Sequence, residues 1–554
     1  MQKRNLAILF GLLLSLLLGA CAIPTIQPTP TPTRTPKPTL TPTPSSTPTP
    51  SPTPTPAFPV TVGCQPFIPA GACATLREEI AAKPTYFSWI DDPVSADLVL
   101  GGADTPHNQV IGSWTYLLVA PFMTTPDAIS LAALQNSWAG TAAETCVPLF
   151  LTAETRRALV TLWGPPSSEN VQALAAAELL TATQIAGGWA IIPFEELHPR
   201  WKVLQIEGYS PVEKGALPAT YPLTIPFYLG SAGRPEMLKI ADLNATSISN
   251  RTAENLTVVV MTGVTAMTRG MAQLMDAKGV TYPAQDIKPW FEEADFVHIS
   301  NEVSFKPDCV ACGHGCMSFC SHDSYIGLLE EIHANIIELT GNHLEDQGSS
   351  WVDHSLAMYQ ERGWQWFGGG TNQEEGSQPL LVEDGPNKIA FLGCNTVGPF
   401  AGEDSGGAAH CGDFEELRVN ITTVRAAGYL PIVSIQHQEA YEYMPSARQL
   451  RDFRSLAAAG AVMVQGSQAH QPQTLEFYGD TFIHYGLGNF FFDQMWSLGT
   501  RQEFVDQLTF YEGQLININL HTALLEEFGR PRPMSAEERE GFLQMIFALS
   551  PNQN

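Results

Sequence analysis

Seven short apolar segments alternate with helical patterns between residues 255 and 521, and this alternation limits the folds open to the region. Strands that are apolar on both faces must be covered on both faces. The stretches between them have the spacing of amphipathic helices. The pattern predicts an α/β domain over residues 255–521, built on a sheet with helices on both sides. The apolar segments are LTVVVMTG, ADFVHIS, NIIELTG, KIAFLGC, LPIVSIQH, AVMVQGS and FIHYGLGNFFFD.

Polar side chains follow four of these segments where each segment ends. In an open α/β sheet, ligands bind beyond the carboxyl ends of the strands. Carboxylate, amide and imidazole groups together hold Mn, Fe or Zn ions. The sequence therefore predicts a composite site at one sheet edge. The alternative is that these side chains only cap helices and turns. The candidate residues are Glu302, Asn342, His343, Asp346, His437 and His470.

A metal site of this kind can support phosphoryl chemistry, because bound ions activate water and stabilise the attacked group. Asn342 and His343 are adjacent, so one can bind metal while the other donates to a phosphoryl oxygen. We therefore treat this pair as the catalytic candidates. The predicted metal ligands are Glu302, Asn342, Asp346, His437 and His470.

Residues 64–240 show a second alternation of short apolar runs and helical stretches, which predicts a smaller α/β lobe. The lobe resembles one lobe of the periplasmic substrate-binding fold. A packing or spacer domain is the alternative. Residues 522–554 are assigned to a C-terminal tail.

The N-terminus has the pattern of a bacterial lipoprotein. A basic start and a short apolar run end in LGAC, which resembles a lipobox. Residues 1–20 are thus predicted to be a signal peptide, and Cys21 the lipidated residue. The alternative is an ordinary signal peptide with a chance cysteine. Residues 21–58, rich in Pro and Thr, predict an extended stalk. We expect an extracytoplasmic protein anchored to the cell membrane.

The cysteine pattern fits export. Cys64 with Cys73, and Cys394 with Cys411, predict local disulfides in an oxidising compartment. The dense stretch CVACGHGCMSFC would suggest zinc in a cytosolic protein. Outside the membrane, two disulfides are favoured among Cys309, Cys312, Cys316 and Cys320, which leaves Cys146 unpaired.

The net charge of -27 repels nucleic acid, which is therefore excluded as a partner.

The C-terminal region resembles the CapA capsule-synthesis family, whose fold is similar to the calcineurin-like metallophosphatases. The matching stretches are GVTAMTRG, ADFVHISNEVSF, LTGNHLEDQG, SIQHQEAYEYMP, GSQAHQPQ and HYGLGNFFFD. Glu302 matches the family's Asn-Leu-Glu position. Asn342, His343 and Asp346 match its Asn-His-x-x-Asp turn. His437 matches its central His, and His470 the last His of Gly-x-His-x-His.

The chain departs from the family pattern at two positions. Val264 stands where the family has Asp, and Gln468 stands where metallophosphatases have the first His of Gly-x-His-x-His. Because Val264 cannot coordinate and Gln468 coordinates weakly, we expect at most one well-occupied ion.

The resemblance implies a role in making, exporting or anchoring a capsule-type polymer such as poly-γ-glutamate. The envelope polymer or its synthesis machinery would then be the partner. Two alternatives are a metal-dependent phosphoesterase and a non-catalytic surface binding protein with a degenerate metal site.

Overall fold

A computed structural model describes residues 59–141, 146–215, 217, 220–240, 248–313 and 316–551. The predicted signal peptide, Cys21 and the stalk lie outside the described residues. Within the described ranges, no helix is long and apolar enough to cross a membrane.

The helices are α1 (Ala70–Ala81), α2 (Leu131–Ala139), α3 (Ala153–Trp163), α4 (Ala176–Ala186), α5 (Met237–Ile240), α6 (Arg269–Lys278), α7 (Ile326–Glu331), α8 (Ser349–Glu361), α9 (Gln373–Gly376), α10 (Glu415–Ala426), α11 (Ala447–Ala458), α12 (Leu498–Arg501) and α13 (Ala536–Leu549). The strands of the first half are β1 (Val60–Cys64), β2 (Phe87–Trp89), β3 (Leu98–Gly101), β4 (Gln109–Pro121), β5 (Ala128–Ile129), β6 (Leu149–Leu151), β7 (Val171–Ala173), β8 (Trp189–Pro193), β9 (Trp201–Val203), β10 (Gln205–Ile206), β11 (Thr224–Gly230) and β12 (Ile248–Ser249). The remaining strands are β13 (Leu256–Thr262), β14 (Val264–Thr265), β15 (Phe296–Asn301), β16 (Phe305–Lys306), β17 (Ser321–His322), β18 (Ile336–Glu338), β19 (Gln365–Phe367), β20 (Gly369–Gly370), β21 (Leu380–Asp384), β22 (Asn387–Asn395), β23 (Gly407–Ala408), β24 (Leu430–Ala440), β25 (Met463–Ala469), β26 (Leu475–Tyr478), β27 (Thr481–His484), β28 (Gln502–Tyr511), β29 (Gln514–Glu526) and β30 (Arg530–Pro533).

The first lobe is built on a mixed sheet in the order β2-β1-β3-β11-β4-β8-β6-β7, with β9 and β12 also paired to β4. Its centre is the long strand β4, which is buried along most of its length. Trp114, Tyr116 and Leu118 contribute to one core, and Leu117 and Val119 contribute to another. This alternation along one strand shows that both faces of the sheet are covered.

The C-terminal region contains two sheets, whereas the sequence predicts one. One sheet has the order β19-β18-β15-β13-β28-β29-β30, and the other β21-β22-β24-β25-β27-β26. Between them lies a core that includes Val259, Phe391, Ile432 and Leu508. Helices α6, α7 and α8 cover the outer face of the first sheet, and α10 and α11 that of the second. A strand has the same apolar pattern whether a helix or a second sheet covers its face. The pattern alone therefore does not distinguish one sheet covered by helices from two sheets packed together.

Residues beyond 521 continue the fold. Strand β29 extends to Glu526, so the boundary at residue 521 falls inside a strand. Helix α13 begins after the cap Ser535, whose side chain accepts a hydrogen bond from the Glu538 N–H. The helix buries Phe542 and Ile546 in the core between the two sheets. The amphipathic face of this segment explains why it packs.

The lobe packs directly against the C-terminal region, and residues 56–554 form one compact unit. Phe122 of the lobe meets the rings of Phe477 and Phe482 edge-on, with centroids 5.2 and 5.5 Å away. Asp127 of the lobe accepts hydrogen bonds of 2.7 Å from Nε and Nη2 of Arg539 on α13. Apolar and charged contacts therefore hold the two parts together.

The structure contains the disulfides Cys64–Cys73 and Cys394–Cys411 and a third, Cys309–Cys320. Cys312 and Cys316 are free, so the dense stretch contains one disulfide instead of the two predicted for it; Cys146 is also free. Pairing of β16 with β17 brings the two ends of that stretch together, which favours the outer pair. Burial, together with the neighbouring Cys316 thiol, raises the pKa of Cys312 to about 11.

Candidate functional site

The strand ends of the two C-terminal sheets meet, although the candidate residues are divided between them. Strands β15 and β18 belong to one sheet, and β24 and β25 belong to the other. The Oγ atoms of Ser300 and Ser467 lie 3.1 Å apart across the junction. Nε2 of Gln436 donates to Oδ1 of Asn342 at 2.6 Å. The composite site is therefore a junction between two sheet edges.

Glu302 carries the least satisfied side chain at this junction. It follows β15 and is only 2% exposed, and neither carboxylate oxygen has a hydrogen-bond partner among the described residues. Its backbone is pressed against Gly341, where an added Cβ would lie 2.5 Å from the Glu302 Cα. A buried carboxylate without a partner is costly, so this position favours a cation or donor that would pair with it.

His343 and Asp346 form a contact within the turn that follows β18. Nδ1 of His343 lies 2.8 Å from Oδ2 of Asp346, which also accepts the Phe319 N–H at 2.7 Å. Burial alone lowers the pKa of His343, but the hydrogen bond to Asp346 and the charge of Glu302 outweigh it, so the net shift is upward. The Phe319 ring lies over the imidazole at a centroid distance of 4.3 Å. Asp346 therefore orients His343 and favours its charged form.

Asn342 belongs to a trio of side-chain amides. Nε2 of Gln436 donates both to Asn342 and to Oε1 of Gln468. Gln468 has a left-handed backbone with φ of 70°. The oxygens of Asn342 and Gln468 thus already accept one hydrogen bond each, and Oε1 of Gln436 is buried with no partner among the residues that the structure describes.

His437 is turned away from the other candidates. It is adjacent to Gln436 in β24, so the two side chains point to opposite faces of the sheet. Its Nε2 lies 2.9 Å from Oδ2 of Asp452 on α11, and its ring meets Phe453 edge-on. Burial lowers the pKa of His437 despite this contact. At this strand Gln436, and not His437, reaches toward Asn342.

His470 follows β25 and lies in an aromatic surrounding. Its Nδ1 is 2.8 Å from Oδ1 of Asn489, and its ring stacks on Tyr441 at 5.7 Å. The charge of Glu302 contributes to a raised pKa of Tyr441, for which burial is the largest cause. Trp496, which is 63% exposed, packs beside Tyr441. An open aromatic surface therefore borders the Glu302 side of the junction.

Arg269 and Asp493 also lie at this junction, and the strand-end argument does not identify them. Asp493 accepts from Nε of Arg269 at 3.0 Å and from the Gly270 N–H at 2.9 Å. The guanidinium lies over the rings of Phe319 and Phe492, and its charge acts on His343. Both residues lie within stretches that carry the family resemblance, GVTAMTRG and HYGLGNFFFD, which is the signal that could have found them.

The structure thus joins His343 to Asp346 and Asn342 to Gln436, with Glu302 near His343 and Tyr441. His437 is bonded to Asp452 instead. Across the described ranges, no group of three or more His, Cys, Asp or Glu side chains is arranged to hold a metal ion. The Glu302 carboxylate, which has no hydrogen-bond partner among the described residues, is the feature of this junction that suits a cation.

Comparison with known proteins identifies the region around this junction. Residues 258–494 match the family model described as "Bacterial capsule synthesis protein PGA_cap". These residues belong to the CapA family. We call the C-terminal region that contains them, from β13 to α13, the CapA-family domain. The CapA-family domain is 22% identical over 260 residues to the capsule biosynthesis protein CapA of Bacillus anthracis, covering 45% of this chain and 63% of the relative. It is 23% identical over 236 residues to the PGA biosynthesis protein CapA of Bacillus subtilis strain 168, covering 42% and 62%. The chain thus spans less than two thirds of either relative.

Solved structures give weaker similarities. A phosphate transport receptor from Vibrio cholerae aligns with 34% of this chain and 93% of its own, at 14% identity and a TM-score of 0.28. A phosphatase from Mycoplasma pneumoniae aligns with 49% of this chain and 94% of its own, at 13% identity and a TM-score of 0.31. Scores this low establish no function for the lobe or for the CapA-family domain.

Proposed function

We propose that this protein is a surface lipoprotein that acts in the biosynthesis of a capsule-type polymer such as poly-γ-glutamate. The CapA-family domain supports the process, since both relatives are named for capsule or PGA biosynthesis. The lipobox-like sequence that ends at Cys21 supports the location, and three disulfides agree with an oxidising compartment.

The unpaired carboxylate of Glu302 carries the proposal for how the domain works. We propose that Glu302 binds one divalent ion, Mn, Fe or Zn, with Asn342 and His470 as the additional ligands. Such an ion, when bound, would act as a Lewis acid toward an anionic group of the substrate. His343, held by Asp346 with a raised pKa, would then donate a proton or hydrogen bond to that group.

Two features argue against a two-metal phosphoesterase. Val264 is 2% exposed and lies in the short strand β14, where it offers no carboxylate. Gln468 is engaged by Gln436. A second ion would therefore lack ligands on one side, which favours binding over hydrolysis.

Deleting the gene should lower the amount of surface polymer, and expression of the unaltered protein should restore it. Glu302→Gln should fail to restore it although the variant is made and folded, because the carboxylate is lost while the side-chain size is kept. Glu345→Gln, in the neighbouring turn, is the matched control and should restore it. The measurement is cell-bound polymer after enzymatic or acid hydrolysis. An unchanged amount of polymer in the deletion strain would refute the function.

Cys21→Ser should move the protein from the membrane fraction into the soluble fraction. The apolar run before Cys21 is too short to span a bilayer comfortably, so the lipid would be the anchor. Fractionation followed by immunoblotting measures this, with unaltered protein as control. The unfolding temperature should stay the same, because Cys21 lies before the folded unit. Continued membrane association of the serine variant would exclude a lipid anchor.

A further inference from the structure

A polar cavity lies between the N-terminal lobe and the CapA-family domain, apart from the Glu302 junction. Its volume is about 310 Å³, at the lower end of the range of roughly 300–1,000 Å³ found for small-molecule sites. None of the candidate residues of the junction lines it. The cavity is large enough for one small ligand, and its chemistry identifies the class.

The floor of the cavity is the face of β28 and β29 that lies toward the N-terminal lobe. This face is polar, whereas a sheet face that packs against a lobe normally carries apolar side chains. Alternate residues of β28 and β29 point into it, and Gln507 and Thr509 stand opposite Asn519 and Asn517. Asn517 is 4% exposed and Thr509 is 1% exposed. Neither side chain hydrogen-bonds to another described residue, so two buried polar groups face the cavity without protein partners. Such groups favour a ligand that donates and accepts hydrogen bonds.

The charged groups of the cavity are already paired. Nζ of Lys202 donates to Asp127 at 2.7 Å and to the carbonyl oxygens of Thr124 and Thr125. Arg539 donates twice to Asp127 and also to the Leu520 carbonyl oxygen. The remaining acid, Glu213, accepts from Gln205. The described residues that line the cavity thus offer no unpaired cation for a phosphate or carboxylate, and the overall charge of -27 also opposes an anion.

One wall of the cavity is aromatic. Trp290 stacks on His521 with ring centroids 4.8 Å apart and planes 23° from parallel. Burial, with a smaller contribution from Arg539, lowers the pKa of His521 to about 4, so this imidazole is neutral at physiological pH. Nε2 of His521 is also 2.8 Å from Oε1 of Gln507. A neutral aromatic wall beside an amide floor suits a ligand with an apolar face and several hydroxyl groups.

From these features we infer that the cavity between the lobe and the domain binds a neutral, hydroxyl-rich ring the size of one sugar unit. The separated amide and hydroxyl groups of two strands match hydroxyls distributed around a ring. A nucleobase would instead present its polar atoms along one edge. This inference does not depend on the proposed function, since it involves none of the residues of the Glu302 junction.

Isothermal titration calorimetry of the full chain with N-acetylglucosamine and with methyl glucoside tests the inference. At least one of the two should bind, whereas glucuronate, inorganic phosphate and adenosine should not. Asn517→Ala should weaken sugar binding by about five- to tenfold, the expected effect of losing one or two hydrogen bonds. Because the Asn517 side chain has no hydrogen-bond partner within the described ranges, this variant should keep the unfolding temperature of the unaltered protein.

Trp290→Ala should also weaken binding, and Trp496→Ala, at an exposed site away from the cavity, should not. Failure of both sugars to bind at millimolar concentrations would overturn the inference. Preferential binding of adenosine, glucuronate or phosphate would overturn the ligand class. Equal affinity of the Asn517→Ala variant would overturn the location. Because none of these measurements involves Glu302 or surface polymer, failure here leaves the proposed function intact.

Discussion

Glu302→Gln should remove bound divalent metal and, at the same time, stabilise the metal-free protein. The Glu302 carboxylate is buried and neither oxygen has a hydrogen-bond partner in the described part of the chain, so folding without an ion leaves it desolvated and unpaired. Burying a polar group without a partner costs roughly 1–3 kcal/mol, and a charged one more. The neutral amide has the same shape and a smaller desolvation cost. We therefore expect the unfolding free energy of the metal-free variant to rise by about 1–3 kcal/mol.

Elemental analysis and denaturant unfolding, each before and after chelation, separate the two effects. Unaltered protein should lose stability on chelation, and the Gln variant should not respond to it. Glu345→Gln is the matched control, because Glu345 lies in the neighbouring turn, after β18, and one of its oxygens is also buried without a partner among the described residues. It should keep the metal. Undiminished metal content in the Glu302 variant would remove Glu302 from the ligand set.

The sequence predicts the elements of the CapA-family domain better than their arrangement. Each apolar segment contains a strand, because the length of the segment and the turn residues on either side of it favour a strand. The division of these strands between two sheets depends on which neighbour covers each face. That choice is made by contacts between distant segments, such as Val259 with Phe391 and Leu508 in one core.

The candidate site shows the same limit at the level of single side chains. His343 and Asp346 are three residues apart in one turn, and their contact follows from local geometry. Whether Gln436 or His437 faces the site depends on the register of β24, and a one-residue shift exchanges the two faces. The apolar residues before them do not fix that register, since β24 is buried on both sides.

Arg269 and Asp493 could not be paired by spacing, because 224 residues separate them. Their pairing depends on the return of the chain after β27 to the start of α6. The contact pairs the buried Arg269 cation with the buried Asp493 carboxylate, and the same carboxylate accepts a hydrogen bond from a backbone N–H in the first turn of α6. This explains why the three groups are found in one place. Removing one member should therefore have a large effect.

Asp493→Asn should lower the free energy of unfolding by about 3–5 kcal/mol, the usual cost of leaving one partner of a buried ion pair uncompensated. The side chains of Arg269 and Asp493 are only 8% and 2% exposed, so water cannot replace the lost carboxylate. Asp493 also accepts the Gly270 N–H near the start of α6, where a negative charge is favoured. Arg269 has a left-handed backbone with φ of 48°, which the ion pair helps to hold.

The double variant Arg269→Met/Asp493→Asn decides whether the charge or the packing carries this effect. If the two side chains contributed independently, their losses would add and the double variant would be less stable than Asp493→Asn. Because the double variant leaves no unpaired charge, we expect it instead to be more stable than Asp493→Asn alone. Lys278→Met is the control at the other end of α6. Its ion pair with Glu527 is exposed, with 43% and 37% of the side chains accessible, and removing it should have little effect.

Denaturant unfolding of the four proteins gives the comparison. A small loss for Asp493→Asn, or a double variant less stable than that single variant, would show that the pair does not hold α6 against the site. If the pair does hold it, Arg269 is fixed beside His343, and the junction keeps the positive charge that opposes protonation of that imidazole.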